Sequence, residues 1–128
     1  MFEQLEVFKM SSAMAAHAGQ RQAVISENVA NSDTPGFVAK DLPSFQKTYH
    51  ADQISPMQRA TRAGHLHGAA DRSQRVESFE VRAEASPNGN TVSLETEMLK
   101  SVAAKQQHDR ALAIYKSALG VLRTAISK

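Results

Sequence analysis

Five histidines, a scatter of serines and carboxylates, and an arginine-bearing middle are the residues of this chain that could do chemistry. His65-Leu66-His67 sets two imidazoles two residues apart, between Gly64 and Gly68. A zinc site needs about three protein ligands on a rigid frame. The flanking sequence supplies neither, so the expectation is a solvated loop and no metal. His17 and His108 fall in helical sequence and read as interface or surface residues. Ser, His and Asp are plentiful, but there is no Gly-x-Ser-x-Gly elbow and no Gly-rich phosphate loop ahead of a helix. The absence of cysteine removes thiol catalysis, disulfides and thiolate-bound zinc. Glu95, Glu97 and Asp109 lie in a long helical run, where capping and solubility account for them as exposed charges. Arg59, Arg62, Arg72, Arg75 and Arg82 alternate with Asp71, Glu77, Glu80 and Glu84, with Tyr49 the nearest stacking ring. That is not the basic stripe a nucleic-acid groove needs. The expectation is no catalytic residue, no cofactor and no nucleic-acid partner.

The elements that hold these residues are unusual. Residues 2–31 contain no Pro and one Gly, with an alanine-rich middle, and predict a single long helix. Leu5, Phe8, Ser12, Ala15, Gly19, Gln22, Ser26 and Val29 alternate by three and four, a heptad-like seam with a small centre. Asn31-Ser32-Asp33-Thr34-Pro35-Gly36 ends it, and Thr34-Pro35-Gly36-Phe37 fits a type II turn. Residues 93–126 predict a second long helix, with Ser93 as its cap. Its apolar face starts at Met98, Leu99 and Val102 and continues through His108, Leu112, Tyr115, Leu119, Leu122 and Ile126. Residues 93–128 hold six basic and three acidic residues, a gentle gradient that suits the negative end of the helix dipole.

Between the helices the sequence is poor in large aliphatics. Gln46 to Arg75 has only Ile54, Met57 and Leu66, and is expected to be mobile in the free chain. Phe79, Val81 and Ala83 alternate with charges as a half-buried strand, with Phe37–Lys40 a weaker strand that could pair with it. The fold class is therefore mainly α: two long terminal helices in an elongated coiled-coil-like hairpin, carrying a small β and disordered insert. The divisions are 1–34 (helix and joint), 35–92 (insert) and 93–128 (second helix). Val, Ile, Leu and Phe make up about a fifth of the chain, and twenty residues are Ala. Neither seam has the bulk to stand alone, so each needs the other or a neighbouring copy. No stretch is long and apolar enough to cross a membrane, and the acidic start MFEQLEVFKM is not a cleavable signal peptide.

Residues 26–37 read Ser-Glu-Asn-Val-Ala-Asn-Ser-Asp-Thr-Pro-Gly-Phe. This resembles the N-terminal signature of the flagellar axial proteins in its rod-group form, N-(V/I/L)-A-N-x-x-T-P-G-(Y/F). Asn28, Val29, Ala30, Asn31, Thr34, Pro35, Gly36 and Phe37 all match. Ala39-Lys40-Asp41-Leu42 with Phe45, and Gly89-Asn90-Thr91-Val92-Ser93-Leu94-Glu95 with Glu97-Met98, are similar to the short proximal members of the group. Ser93 stands where those members have Asp, and both residues cap helices. The ending Leu122-Arg123-Thr124-Ala125-Ile126 also resembles the family.

The resemblance implies a structural subunit of the proximal rod of the flagellar basal body. It implies assembly through the terminal helices, torque transmission across the periplasm, and export by the flagellar type III apparatus without signal cleavage. The implied partners are further copies of the chain, other rod proteins, and the adaptor joining the rod to the MS ring. The alternatives are a sister rod protein of the same fold or, in a different class, a helical adaptor or nucleic-acid-binding protein. On this reading Leu5, Phe8, Val29, Met98, Leu112, Tyr115, Leu119, Leu122 and Ile126 pack helices, and the eight motif residues orient the insert as a joint.

Overall fold

The computed structural model describes residues 2–54 and 76–127. The chain runs α1 (Phe2–Ala30), β1 (Lys40–Asp41), α2 (Phe45–Ile54), β2 (Phe79–Glu80) and α3 (Leu94–Ile126). The two long helices have 29 and 33 residues, which at 1.5 Å per residue is roughly 44 and 50 Å. They pack antiparallel: Phe8 meets Tyr115, His17 meets Gln107, Gln22 meets Ser101 and Asn28 meets Glu97, so position rises on one helix as it falls on the other.

The buried line on α1 is Ser11, Ala18 and Ile25, seven apart, and on α3 it is Glu97, Ala104 and Ala111, again seven apart. This is a heptad seam made largely of methyl groups, which lets the backbones approach closely while burying little area. The expected seam on α1 is one residue out of phase. Ser12, Gly19, Gln22 and Ser26 are exposed, and Val29 is 39% exposed. On α3, Met98, Leu112, Tyr115 and Ile126 are exposed too, while Leu119 and Leu122 are half-buried. Of the expected packing residues, Phe8 reaches across the pair, its ring edge-on to Tyr115 at 5.2 Å. The side chain of Leu5 lies outside the described residues.

The insert differs from expectation in three ways. Phe45–Ile54 is helical, within sequence read as mobile from Gln46 onward. Ser44 starts it, its carbonyl accepting from the amides of Lys47 and Thr48, and the Phe45 ring packs edge-on against His17. The strands are shorter and displaced: Lys40 pairs with Glu80 and Asp41 with Phe79, antiparallel. Phe79 is half exposed and Ala83 is exposed, so the segment is not a half-buried strand. Ser93 holds the N-cap position of α3 without a side-chain bond to the helix backbone. Residues 55–75, which include the His65-Leu66-His67 pair and Arg59, Arg62, Arg72 and Arg75, lie outside the described residues. Among the described residues no helix is long and apolar enough to cross a membrane.

Candidate functional site: a polar joint and an open helix face

The joint is built from two stacked turns. In the first, the Phe37 amide donates to the Thr34 carbonyl at 3.3 Å and Gly36 has φ +72°, as a type II turn requires at its third position. In the second, the Gly89 amide donates to Ser86, the Ser86 amide donates to Asn90, and Gly89 has φ +81°. The turns touch: the Gly36 amide donates to the Asn88 carbonyl, and a Cβ on Gly89 would lie 3.4 Å from the Gly36 Cα. The positive φ at each position is one that residues with a side chain rarely adopt, so glycine is favoured at both.

Asn90 ties the turns to the end of α1. Its Nδ2 lies 2.9, 2.9 and 2.8 Å from the carbonyls of Asn31, Ser32 and Thr34. These carbonyls belong to the turn that follows α1, so one side chain gathers the turn's backbone. Its Oδ1 accepts from the Val92 amide, which leads into α3. Asn31 caps locally, donating to the Glu27 carbonyl. Thr91 holds the insert, its hydroxyl accepting from the Ala39 amide and its own amide donating to Phe37.

Behind the turns lies a buried network. Asn28 is fully buried; its Nδ2 donates to the Lys40 carbonyl at 2.7 Å and to Glu97 Oε2 at 2.9 Å, and its Oδ1 accepts from the Lys40 amide. Glu97 is 1% exposed, not the exposed helix charge that its place in the sequence suggested. Its Oε1 meets the Lys100 ammonium at 2.8 Å, and that ammonium lies 3.4 Å from Asp41 Oδ2. Asp41 also takes two bonds from the Arg21 guanidinium and one from the Leu42 amide. Two cations and two anions thus balance, joining α1, β1 and α3. Burial alone would raise the Asp41 carboxyl, but the Arg21 bond, the Leu42 amide and the charges of Arg21 and Lys100 hold it below the usual range. Among the described residues every buried side-chain nitrogen and oxygen has a partner. Such an arrangement fixes the geometry of the joint.

Of the eight motif residues, Asn28, Val29, Asn31, Thr34, Gly36 and Phe37 make hydrogen bonds in these turns and the network behind them, while Arg21, Asp41, Asn90, Glu97 and Lys100 are ties that the sequence reading missed. Asp41, Asn90 and Glu97 stood in the segments that carry the resemblance and could have been read from there. Nothing in local spacing links Arg21 to Asp41, or Lys100 to either.

The helix pair has two unlike faces. One carries the insert, through His17 to the Pro43 carbonyl, Gln20 to the Val76 amide, Arg21 to Asp41 and Lys100 to Asp41. The other is open. There Gln22 and Ser101 bridge the helices, and a groove of about 380 Å³ runs beside Gly19, Gln22, Ser101, Val102 and Lys105. Ten large apolar side chains stay exposed over the described chain, seven of them beyond Leu94 on α3.

The profile of the family described as flagella basal body rod protein matches residues 10–37, from the first third of α1 through its end and the first turn. The chain is 31% identical over 120 residues to the flagellar basal body rod protein FlgB of Agrobacterium fabrum, covering 88% of this chain and 87% of that one. The chain belongs to the flagellar basal body rod protein family and is a structural subunit of that assembly.

Proposed function

We propose that this protein is a building block of the proximal rod that polymerises through the outward faces of its two long helices and carries torque across the periplasm. One observation supports this most. Among the described residues four of the six buried apolar residues are alanines, while Met98, Leu99, Val102, Val121 and Ile126 are each more than half exposed. A hairpin with its bulk outside and its methyl groups inside is suited to a lattice in which neighbours bury the remainder. The joint sets the angle of the insert to the helices, so that copies present the same outline. The partners are further copies, other rod proteins and the adaptor that links rod to MS ring. Delivery is by the flagellar type III apparatus without signal cleavage, and the role is mechanical, with no catalytic step.

Leu99→Asp tests the reading. The side chain is 73% exposed, so the hairpin should keep its helicity. Burying that charge between subunits would forfeit the 1.5–3 kcal/mol a buried Leu is worth, roughly, and add a desolvation cost. The expected result is a chain that is made and folded but supports neither rods nor swimming. Normal rods and swimming would refute the proposal.

A further inference from the structure

The open face of α3 carries a stripe whose spacing is the same in both directions and whose central charges are complementary when it is reversed. Met98, Val102, Lys105, Asp109, Leu112 and Lys116 recur at spacings of four and three, which places them in one stripe along the helix. All six are exposed. Turned end for end about position 107, Lys105 falls opposite Asp109, Val102 opposite Leu112, and Met98 opposite the stem of Lys116. Within the subunit the stripe satisfies little of itself. Asp109 has only His108 near, at 4.0 Å, and Lys105 has no carboxylate within ion-pair distance among the described residues. Beside the stripe α1 offers no obstruction: its open face from Ser12 to Val29 is Ser12, Ala15, Gly19, Gln22, Ser26 and Val29, without a charge. A Cβ built on Gly19 meets nothing within 4 Å.

We infer that a second copy of this chain docks on this face antiparallel, forming a two-fold dimer with two Lys105–Asp109 pairs flanking the axis. In such an isologous contact each patch is its own complement. Val102 and Leu112 of both copies supply the apolar layers on either side. The exposed ion pairs add little affinity and set the register, since any slip brings charge against apolar side chains or like charge. The dimer points its two subunits in opposite directions, which a polar rod cannot accept. The dimer contact stands on the stripe alone; its place as a soluble state that covers the open face until assembly rests on the rod reading.

Charge swapping tests this by sedimentation of the full chain at pH 8. Wild type is expected to be a concentration-dependent dimer. Lys105→Asp and Asp109→Lys, each placing like charges together twice, should weaken dimerisation about tenfold or more. An equimolar mixture of the two variants should dimerise like wild type, because each 105–109 pair in the mixed dimer again joins opposite charges. Equal helicity of variants and wild type by circular dichroism, compared at concentrations that give the same fraction of dimer, excludes misfolding. A monomeric wild type, unchanged single variants, a mixture that stays apart, or growth beyond dimers would each overturn the proposal. Rod assembly in Leu99→Asp is a separate readout, since Leu99 lies outside the stripe.

Discussion

Asp41 is 8% exposed and sits within 3.4 Å of both Arg21 and Lys100. Its carboxyl is held below the ordinary carboxylate range despite burial. A depressed folded-state pKa contributes stability that is present above the unfolded value and lost as pH falls through the folded one. Asp41→Asn should therefore cost about 1–3 kcal/mol at neutral pH, leaving two cations short of a partner. The gap in melting temperature between variant and wild type should narrow as pH drops below about 4. A gap that is constant from pH 7 to pH 3 in thermal melts would show that the ionised carboxylate is not what ties the joint. At this scale the motif residues were legible, because Asn, Pro and Gly at a helix end have narrow uses. Arg21 and Lys100 were not, because their partner comes from a loop that only the fold brings near.

On the scale of the elements, length and ends were legible and rotation was not. Long runs without Pro, bounded by turn residues, fixed two helices to within a residue or two. The phase of α1 failed because an alanine-rich helix has almost the same polarity all round. The lines through Ser11, Ala18 and Ile25 and through Ser12, Gly19 and Ser26 both repeat every seven residues. What selects the first is the pairing of Asn28 with Glu97 and the fit of Ala18 near Ala104, which are tertiary facts. The missed α2 had a signal after all, in Ser44 ahead of Phe45 and Tyr49, whose rings pack together at 5.3 Å. The phase makes a prediction. Gly19 is exposed in a helix interior with open space at its Cβ, so Gly19→Ala should stabilise the chain by about 0.5–1 kcal/mol through helix propensity. A rise in the thermal midpoint is expected. A fall would place Gly19 in the intramolecular seam.

The whole molecule is a long hairpin with little inside it. Ile25 and Leu42 are its only large apolar side chains that are fully buried among the described residues, and its polar joint sits at one end. Polar networks specify geometry but add modest net stability. On the proposed reading, folding of the far ends of both helices draws on contacts with neighbouring subunits, and the half-exposed Leu112 and Tyr115 and the outlying Val121 and Ile126 are where they would form. This ties the fold to membership of a rod family: the same deficit that makes the free subunit marginal drives it into an assembly. The direct measurement is helicity and melting of the purified chain by circular dichroism over a roughly hundredfold range of concentration, with and without other rod proteins. The account predicts a broad melt and reduced helicity at the dilute end, with both recovering as the chain associates. A sharp, concentration-independent melt of a fully helical monomer would contradict it.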